Sequence, residues 1–241
     1  MPEILSRFDT QAPASEQDLR ELEHRRRVPD TQSIDAGLFD PVLLKLDVYQ
    51  QERQLGTLCV GVTSSDRKVG VTTIAIKLAI QAAEGGLGNV AFVDANGDRP
   101  AAHKAFGLKD SSGLTDHLFA GADLDDCLHA SAHDGLDVIP WGKTQLQSPS
   151  ISPFILKSLF NELRSRYQYI FVDLPVTDQA GNAISFAAQV DGVIVIAAAN
   201  QSTSRSNQRM IEMLHDNSID VIGAVMNKYS TALPRFLQRY F

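Results

Sequence analysis

Two features of this sequence could bind a phosphate group and a magnesium ion, and both follow apolar segments. The polar loop Ser65–Thr73 comes just after the apolar run Leu58–Thr63. Two carboxylates, Asp94 and Asp173, each end a later apolar run. An acidic residue at the end of an apolar strand, beside a phosphate-binding loop, commonly orients Mg²⁺ or its waters. The order of these residues therefore predicts a site for a phosphorylated ligand.

The loop joins an apolar strand to a helical segment, which is where a phosphate-binding loop (P-loop) occurs. Such a loop cradles phosphates with backbone N–H groups and a helix N-terminus. Gly70 keeps the glycine that precedes the phosphate-binding lysine, and Thr72 keeps the hydroxyl that would hold Mg²⁺. Val71 replaces that lysine, Lys68 replaces a glycine, and Ser65 replaces the first glycine of the loop. The candidate nucleotide-binding residues of the loop are Ser65, Asp66, Arg67, Lys68, Val69, Gly70, Val71, Thr72 and Thr73.

Val71 bears directly on activity. A P-loop lysine makes charge-assisted hydrogen bonds to the β- and γ-phosphates, each worth about 1.5–3 kcal/mol net. Charge stabilisation is the main protein contribution to phosphoryl transfer, and a valine supplies none. Lys68 could reach in from its own backbone position, although its Cβ is expected to disturb the loop. Nucleotide turnover, nucleotide binding without turnover, and no nucleotide role all stay open, and the sequence favours the two outcomes without turnover.

Each of the two aspartates also has a structural interpretation. An aspartate at the end of a strand often caps a helix or bonds a loop, so Asp94 or Asp173 alone would not indicate a metal site. Two such strands downstream of a P-loop-like turn favour an ATPase-type fold. In that fold the Mg²⁺ ligands would be Thr72, Asp94 and Asp173, and the two aspartates would be the catalytic residues of an active protein.

Apolar runs alternate with helical segments along the chain. Continuous apolar strands between helices are typical of a parallel sheet covered on both faces. We therefore predict an α/β fold with a doubly wound, mostly parallel sheet and a site at the C-terminal ends of its strands. Strands are predicted at Leu58–Thr63, Asn89–Asp94, Asp137–Pro140, Tyr169–Asp173, Gly192–Ala197 and Asp220–Met226, and helices within Pro41–Gln54 and at Thr72–Glu84, Ser152–Tyr167 and Ser204–Asn217.

Composition excludes several classes of function. The chain has 241 residues and a formal net charge of −7, so there is no global attraction to nucleic acid. Neither a signal peptide nor an apolar run of the roughly 18 residues that span a membrane is recognisable, which predicts a cytoplasmic protein. We expect a largely disordered segment over residues 1–40, with a short helix around Glu16–Arg27, a domain over 41–229, and an amphipathic tail over 230–241 that either docks or packs.

Taken together, these segments resemble the cytoplasmic kinase domain of bacterial polysaccharide tyrosine autokinases (BY-kinases), a group within the MinD/ParA-type P-loop superfamily. The resemblance extends from about Leu58 to Asn227, which is most of the chain. It rests on Ser65–Thr73, Asp94-Ala95-Asn96, Arg99–Leu108, Gly113–Asp116, Leu136–Gly142, Tyr167–Pro175 and Gly223–Asn227.

The resemblance implies ligands and partners that the residues alone do not. ATP or ADP with Mg²⁺ would be the ligand, and Asn227 would contact the adenine. The partner would be a membrane-embedded polysaccharide co-polymerase, with a homo-oligomer as a further expectation. We expect a cytoplasmic, kinase-like partner or regulator of exopolysaccharide or capsule biosynthesis with impaired catalysis. An active tyrosine autokinase and a MinD/ParA-type positioning ATPase are the alternatives.

Departures from the family pattern support the expectation that catalysis is impaired. Val71 replaces the P-loop lysine, and Asn96 replaces the second aspartate of the Asp94 motif. The C-terminal tyrosine cluster of the family is reduced to Tyr229 and Tyr240. The family's charged oligomerisation helix is not recognisable in Asp40–Gln54.

Overall fold

The fold is that of a doubly wound α/β protein. A computed structural model describes residues 37–144, 151–176, 182–199 and 201–228. Within these residues the strands form one seven-stranded sheet in the order β3-β4-β2-β5-β1-β6-β7. All neighbouring strands pair in parallel except β3 and β4, which pair antiparallel. The predicted fold class is confirmed.

The apolar runs of the sequence form the central strands, because those strands are covered on both faces. Every residue of Leu58–Thr63, Val90–Asp94 and Tyr169–Asp173 is buried. Alternate residues of the first strand enter different clusters: Leu58, Val60 and Val62 pack on one face and Cys59 on the other. This period of two is that of an extended strand, so both faces of the sheet need an apolar cover.

Helices supply that cover. The helix after the first strand packs its alanines and leucines, such as Ala75 and Leu78, on one face. The helix at Pro153–Arg166 packs Leu159 and Leu163 on the opposite face. The strands are β1 Leu58–Thr63, β2 Val90–Asp94, β3 His129–Ala130, β4 Leu136–Ile139, β5 Tyr169–Asp173, β6 Gly192–Ala198 and β7 Val221–Asn227. The helices are α1 Asp40–Glu52, α2 Val71–Glu84, α3 Ala102–Ala105, α4 Leu114–Ala120, α5 Leu124–Cys127, α6 Pro153–Arg166, α7 Asn182–Ala187 and α8 Ser204–Asp216.

Long elements match their predicted positions, and short ones were not predicted. The six predicted strands and four predicted helices are all present, with ends that agree or differ by at most two residues. The unpredicted elements are β3, α3, α4, α5 and α7, which have two to seven residues each. Such short pieces carry too few residues for a period to show.

Some sequence predictions concern segments outside the described residues. These are the disorder and the helix expected before residue 37, the amphipathic tail at 230–241, and the role of Tyr229 and Tyr240. The three-part division of the chain at residues 40 and 229 accordingly stays a prediction. None of the helices among the described residues is long and apolar enough to cross a membrane.

Candidate functional site

The candidate site lies at the point in the sheet where the strand order reverses. Strand β1 lies between β5 and β6, and β5 also pairs with β2. In the β2–β5 register, Asp94 lies directly opposite Asp173. Because parallel strands end at the same edge, both carboxylates reach the edge from which the loop Ser65–Thr73 leaves β1. The predicted convergence of these three features is therefore present.

The loop adopts backbone angles that suit a phosphate cradle. Gly70 precedes the first residue of α2 and has a φ of 100°, in the left-handed region that glycine tolerates best. Lys68 also has a positive φ, of 62°, although it carries a side chain. A non-glycine residue there costs on the order of 1 kcal/mol, which the contacts around the loop must offset. The lysine therefore keeps the backbone conformation that a glycine would adopt more easily.

Val71 is the first residue of α2, at the point where the missing lysine would begin. Its side chain is partly buried and packs on the apolar cluster around α2. An apolar side chain held there contributes packing and no charge, so the loop offers phosphates only backbone groups at this position.

Thr72 and Asp173 are bonded to each other. Thr72 Oγ1 donates a hydrogen bond of 2.6 Å to Asp173 Oδ2. Asp173 is fully buried, and its Oδ1 has no hydrogen-bond partner among the described residues. Burial, reinforced by the negative charge of Asp94, raises the pKa of Asp173 to about 8, against the opposing effects of Thr72 and Asn96. Near neutral pH this carboxyl is therefore largely protonated.

Asp94 has a different set of partners. Its carboxylate accepts hydrogen bonds from the backbone N–H groups of Asn96 at 3.1 Å, Ala101 at 2.9 Å and Ala102 at 3.0 Å. Burial raises the pKa of Asp94, and these three donors oppose the rise. The geometry matches the structural interpretation in which Asp94 ties the following loop and α3 to the sheet. Its catalytic and Mg²⁺ roles stay predictions.

The first half of the loop is bonded to the start of α8. Ser65 Oγ donates to Asn207 Oδ1 at 2.6 Å, and Ser206 Oγ lies 3.4 Å from Asp66 Oδ2. Arg67 forms an ion pair of 3.3 Å with Asp98, and both side chains remain open to solvent. Lys68 and Thr73 are exposed, whereas Val69 is buried.

Strand β7 ends against the loop. Asn227 Nδ2 donates to the Val69 carbonyl at 2.7 Å, and a Cβ on Gly70 would lie only 2.4 Å from that nitrogen. Lys228 Nζ donates to the Lys68 carbonyl. Asn227 therefore supports the loop backbone, and its expected contact with adenine stays a prediction.

Sequence reasoning did not identify the polar residues that hold the loop from α8 and β7. Asn207, Ser206 and Lys228 are the clearest cases, and Gln201 Nε2 also donates to the Arg67 carbonyl at 2.8 Å. A signal was present, because residues 201–207 form a polar run directly after the apolar strand that neighbours β1. The edge rule for parallel sheets would have placed that run at the loop.

Part of this site fits a magnesium ion. The Thr72 hydroxyl and the unpaired Asp173 Oδ1 are hard oxygen ligands of the kind that Mg²⁺ takes. No group of three or more His, Cys, Asp or Glu side chains that could hold a metal occurs in the described part of the chain. A Mg²⁺ ion here would therefore need phosphate oxygens and water to complete its coordination. The phosphate side of the site fits less well, because the lysine is missing.

The sequence of this chain is similar to the sequences of known bacterial proteins. No family model matches the sequence. The chain is 28% identical over 205 residues to the proposed tyrosine-protein kinase EpsB of Ralstonia solanacearum, a match that covers 84% of the chain and 26% of EpsB. It is 24% identical over 199 residues to the tyrosine-protein kinase YwqD of Bacillus subtilis, covering 82% of the chain and 83% of YwqD. The chain thus spans about a quarter of EpsB and most of YwqD.

Solved structures show the same fold. The chimerical protein CapA2B2 matches with a TM-score of 0.70 at 18% identity, over 90% of this chain and all of the other. The septum site-determining protein MinD of Pyrococcus horikoshii, solved with Mg-ADP, matches with a TM-score of 0.64 at 19% identity, over 76% of each chain. The fold is therefore that of the P-loop NTPases.

The relatives found by sequence are more specific than the shared fold. The relatives include proteins named as bacterial tyrosine-protein kinases, which match between 69% and 84% of the chain. The predicted resemblance to BY-kinases within the MinD/ParA-type superfamily is confirmed.

Proposed function

We propose that this protein is a kinase-like partner or regulator of a membrane polysaccharide co-polymerase, with impaired phosphoryl transfer. The observation that carries the proposal is Val71 at the first position of α2, where a P-loop lysine would begin. Without that lysine the loop lacks the charge that would stabilise the transferring phosphoryl group. A retained fold with a weakened reaction centre suits a protein that acts by binding.

The two aspartates support the same proposal. Asp94 uses its carboxylate on three backbone donors, and Asp173 is buried, protonated near neutral pH and bonded to Thr72. A metal ion would have to replace the proton on Asp173 and compete for the Thr72 hydroxyl. Both steps cost free energy that a site prepared for Mg²⁺ would not require.

An active tyrosine autokinase fits the geometry about equally well. The loop keeps positive φ at Lys68 and Gly70, so its backbone can still form a cradle. Thr72 and Asp173 remain side by side, the Lys68 side chain starts within the loop, and Lys228 Nζ donates to the Lys68 carbonyl. ATP or ADP with Mg²⁺ would then occupy the loop. The likeness to MinD supports the shared fold and adds no separate argument for a positioning ATPase.

Partner and location are also part of the proposal. The match to the CapA2B2 chimera and to relatives named as tyrosine kinases supports action beside a membrane co-polymerase, in a homo-oligomer or a mixed assembly. We place the protein in the cytoplasm, at the inner membrane through that partner.

Phosphotransfer from radiolabelled ATP separates the two candidates. The chain contains five tyrosines, of which Tyr167 and Tyr169 are buried, and YwqD serves as a positive control. If the proposal holds, the wild-type protein binds ATP weakly or not at all and incorporates no label above a denatured control. Label on tyrosine that disappears in Asp173→Asn would establish the active kinase instead. Folding of the variant is checked by circular dichroism.

A further inference from the structure

A cavity lies beside the candidate site and is lined by a different part of the chain. It has a volume of about 660 Å³ and lies between the segments 97–111 and 140–144, with α4 at its base. That volume is in the range of small-molecule sites in proteins. None of the loop residues Ser65–Thr73 lines it.

Aromatic side chains form its apolar walls. Trp141 and Phe119 line the cavity together with Leu108. The Trp141 ring packs on the backbone of Gly97, since a Cβ at Gly97 would lie 2.4 Å from a ring carbon. A larger residue at Gly97 would push the ring out, so the glycine fixes one wall. A planar group or the apolar face of a sugar ring can stack on such a surface.

One wall of the cavity contains a buried polar atom that has no partner among the described residues. Thr115 lines the cavity, is 1% exposed, and its hydroxyl has no hydrogen-bond partner among the described residues. Leaving a buried hydroxyl unpaired costs about 1–3 kcal/mol, so an unpaired hydroxyl at a cavity is unusual. Because this oxygen is itself buried, a ligand would reach it only if the Thr115 side chain turned its hydroxyl towards the cavity.

The rim carries more basic than acidic side chains. His103, Lys109 and Lys143 line the cavity with one carboxylate at the rim, Asp110. The other nearby carboxylate, Asp116, is fully engaged: it accepts from Gly113 N at 2.9 Å, Lys143 N at 3.0 Å and Thr144 Oγ1 at 2.7 Å. Asp116 therefore shapes the wall, and the lysines remain available for an anionic group.

We propose that this cavity binds a phosphorylated ring compound, with the ring against Trp141 and Phe119 and the phosphate at Lys109 and Lys143. A nucleoside monophosphate and a sugar phosphate share this chemistry, and both are small enough for the volume. The site is separate from the phosphate loop, so its occupancy does not depend on whether the loop binds ATP. It adjoins the end of β2 through Gly97, three residues after Asp94.

Trp141 provides the measurement, because it is the only tryptophan in the 241-residue chain. Its fluorescence is titrated without Mg²⁺ against AMP, glucose 1-phosphate, inorganic phosphate and adenosine. A saturable change with AMP identifies the nucleoside source, and one with glucose 1-phosphate the sugar source. The preferred compound should bind about tenfold more tightly than inorganic phosphate, because stacking adds to the charge contacts. Equal binding of phosphate alone, or no saturable change with either ring compound, overturns the proposal.

Matched variants locate the binding. Lys109→Gln/Lys143→Gln should weaken it about fivefold or more, whereas the exposed pair Lys45→Gln/Lys157→Gln, which removes the same charge elsewhere, should not. Thr72→Val tests the phosphate loop. A fluorescence response that vanishes in Thr72→Val, or that survives unchanged in the lysine pair at the rim, overturns the proposal.

Discussion

Thr72 Oγ1 and Asp173 Oδ2, two groups predicted to share a magnesium ion, are hydrogen-bonded to each other at 2.6 Å. The bond joins the first turn of α2 to the end of β5, and the other carboxyl oxygen of Asp173 has no partner in the part of the chain that the structure describes. Without a metal ion, the threonine hydroxyl is the donor that satisfies half of this buried acid. The proton on Asp173 and a bound cation therefore exclude one another.

Asp173 predicts how stability depends on pH. Its pKa rises from the ordinary value of 3.8 in the unfolded chain to about 8 in the fold. Between these values the unfolded chain loses the proton and the folded chain keeps it, so the free energy of unfolding falls as pH rises, by at most about 1.4 kcal/mol per pH unit. Below pH 3.8 the penalty is absent, and above about 8 it is complete.

Asp173→Asn tests this dependence, because an asparagine keeps an oxygen for the Thr72 hydroxyl and does not ionise. Its melting temperature relative to wild type should rise by about 10 °C between pH 5 and pH 8. Asp123→Asn, which changes an exposed carboxylate that makes no capping hydrogen bond, is the control and should show no such trend. A wild-type and Asp173→Asn pair with parallel pH profiles would contradict the raised pKa.

Val71→Lys should raise ATP affinity. Gly70, Thr72 and Asp173 keep their positions around the loop, so a lysine at this position regains contacts worth about 1–3 kcal/mol, or roughly five- to 150-fold in affinity. Isothermal titration calorimetry with Mg-ATP measures the gain. Val71→Met, which has similar reach and no charge, is the control. Equal affinities for the lysine and methionine variants would mean that Lys68 and its neighbours have reshaped the loop.

Gly70 and Asn227 are predicted to be coupled. Gly70→Ala places a Cβ 2.4 Å from Asn227 Nδ2 and also meets a φ of 100°, so it should cost about 2–4 kcal/mol in urea unfolding. Asn227→Ser removes the obstructing amide and should lower the cost of Gly70→Ala to about 1–2 kcal/mol, the backbone share. The same cost of Gly70→Ala in both backgrounds would show that Asn227 yields freely and does not fix the loop.

The sheet could be predicted because its central strands are long, apolar and covered on both faces. β1 and β5 have the predicted bounds, and the convergence of Asp94 with Asp173 follows from the rule that parallel strands end at one edge. The part of the site that the sequence predicts is thus the set of residues at the ends of the strands.

The rest of the site depends on contacts between residues far apart in sequence. Asn207 is 142 residues from Ser65, and Lys228 is 160 residues from Lys68, and neither pair shares a pattern that marks it. Asp94 bonds the backbone because the N–H groups of Ala101 and Ala102 lie within reach of its carboxylate. Their positions depend on a four-residue helix, which is too short to show a period in the sequence. Polar contacts made by loops decide these details, and periodicity does not encode them.

The last prediction separates a binding role from a catalytic one in the cell. Deleting the gene in its native host should abolish or alter a surface polysaccharide, whereas Asp173→Ala should be nearly silent in the same assay. A carboxylate at this position acts through metal and water, so a protein that works by binding tolerates its loss if it stays folded. Folding is the main risk, because Asp173→Ala leaves the Thr72 hydroxyl unpaired at about 1 kcal/mol, partly offset by removal of a buried acid. Two controls address that risk. Immunoblotting measures the protein level, and Asp173→Asn removes the charge while preserving the shape of the side chain. If either folded variant behaved like the deletion, the binding role would fail and a nucleotide-driven enzyme or switch would replace it.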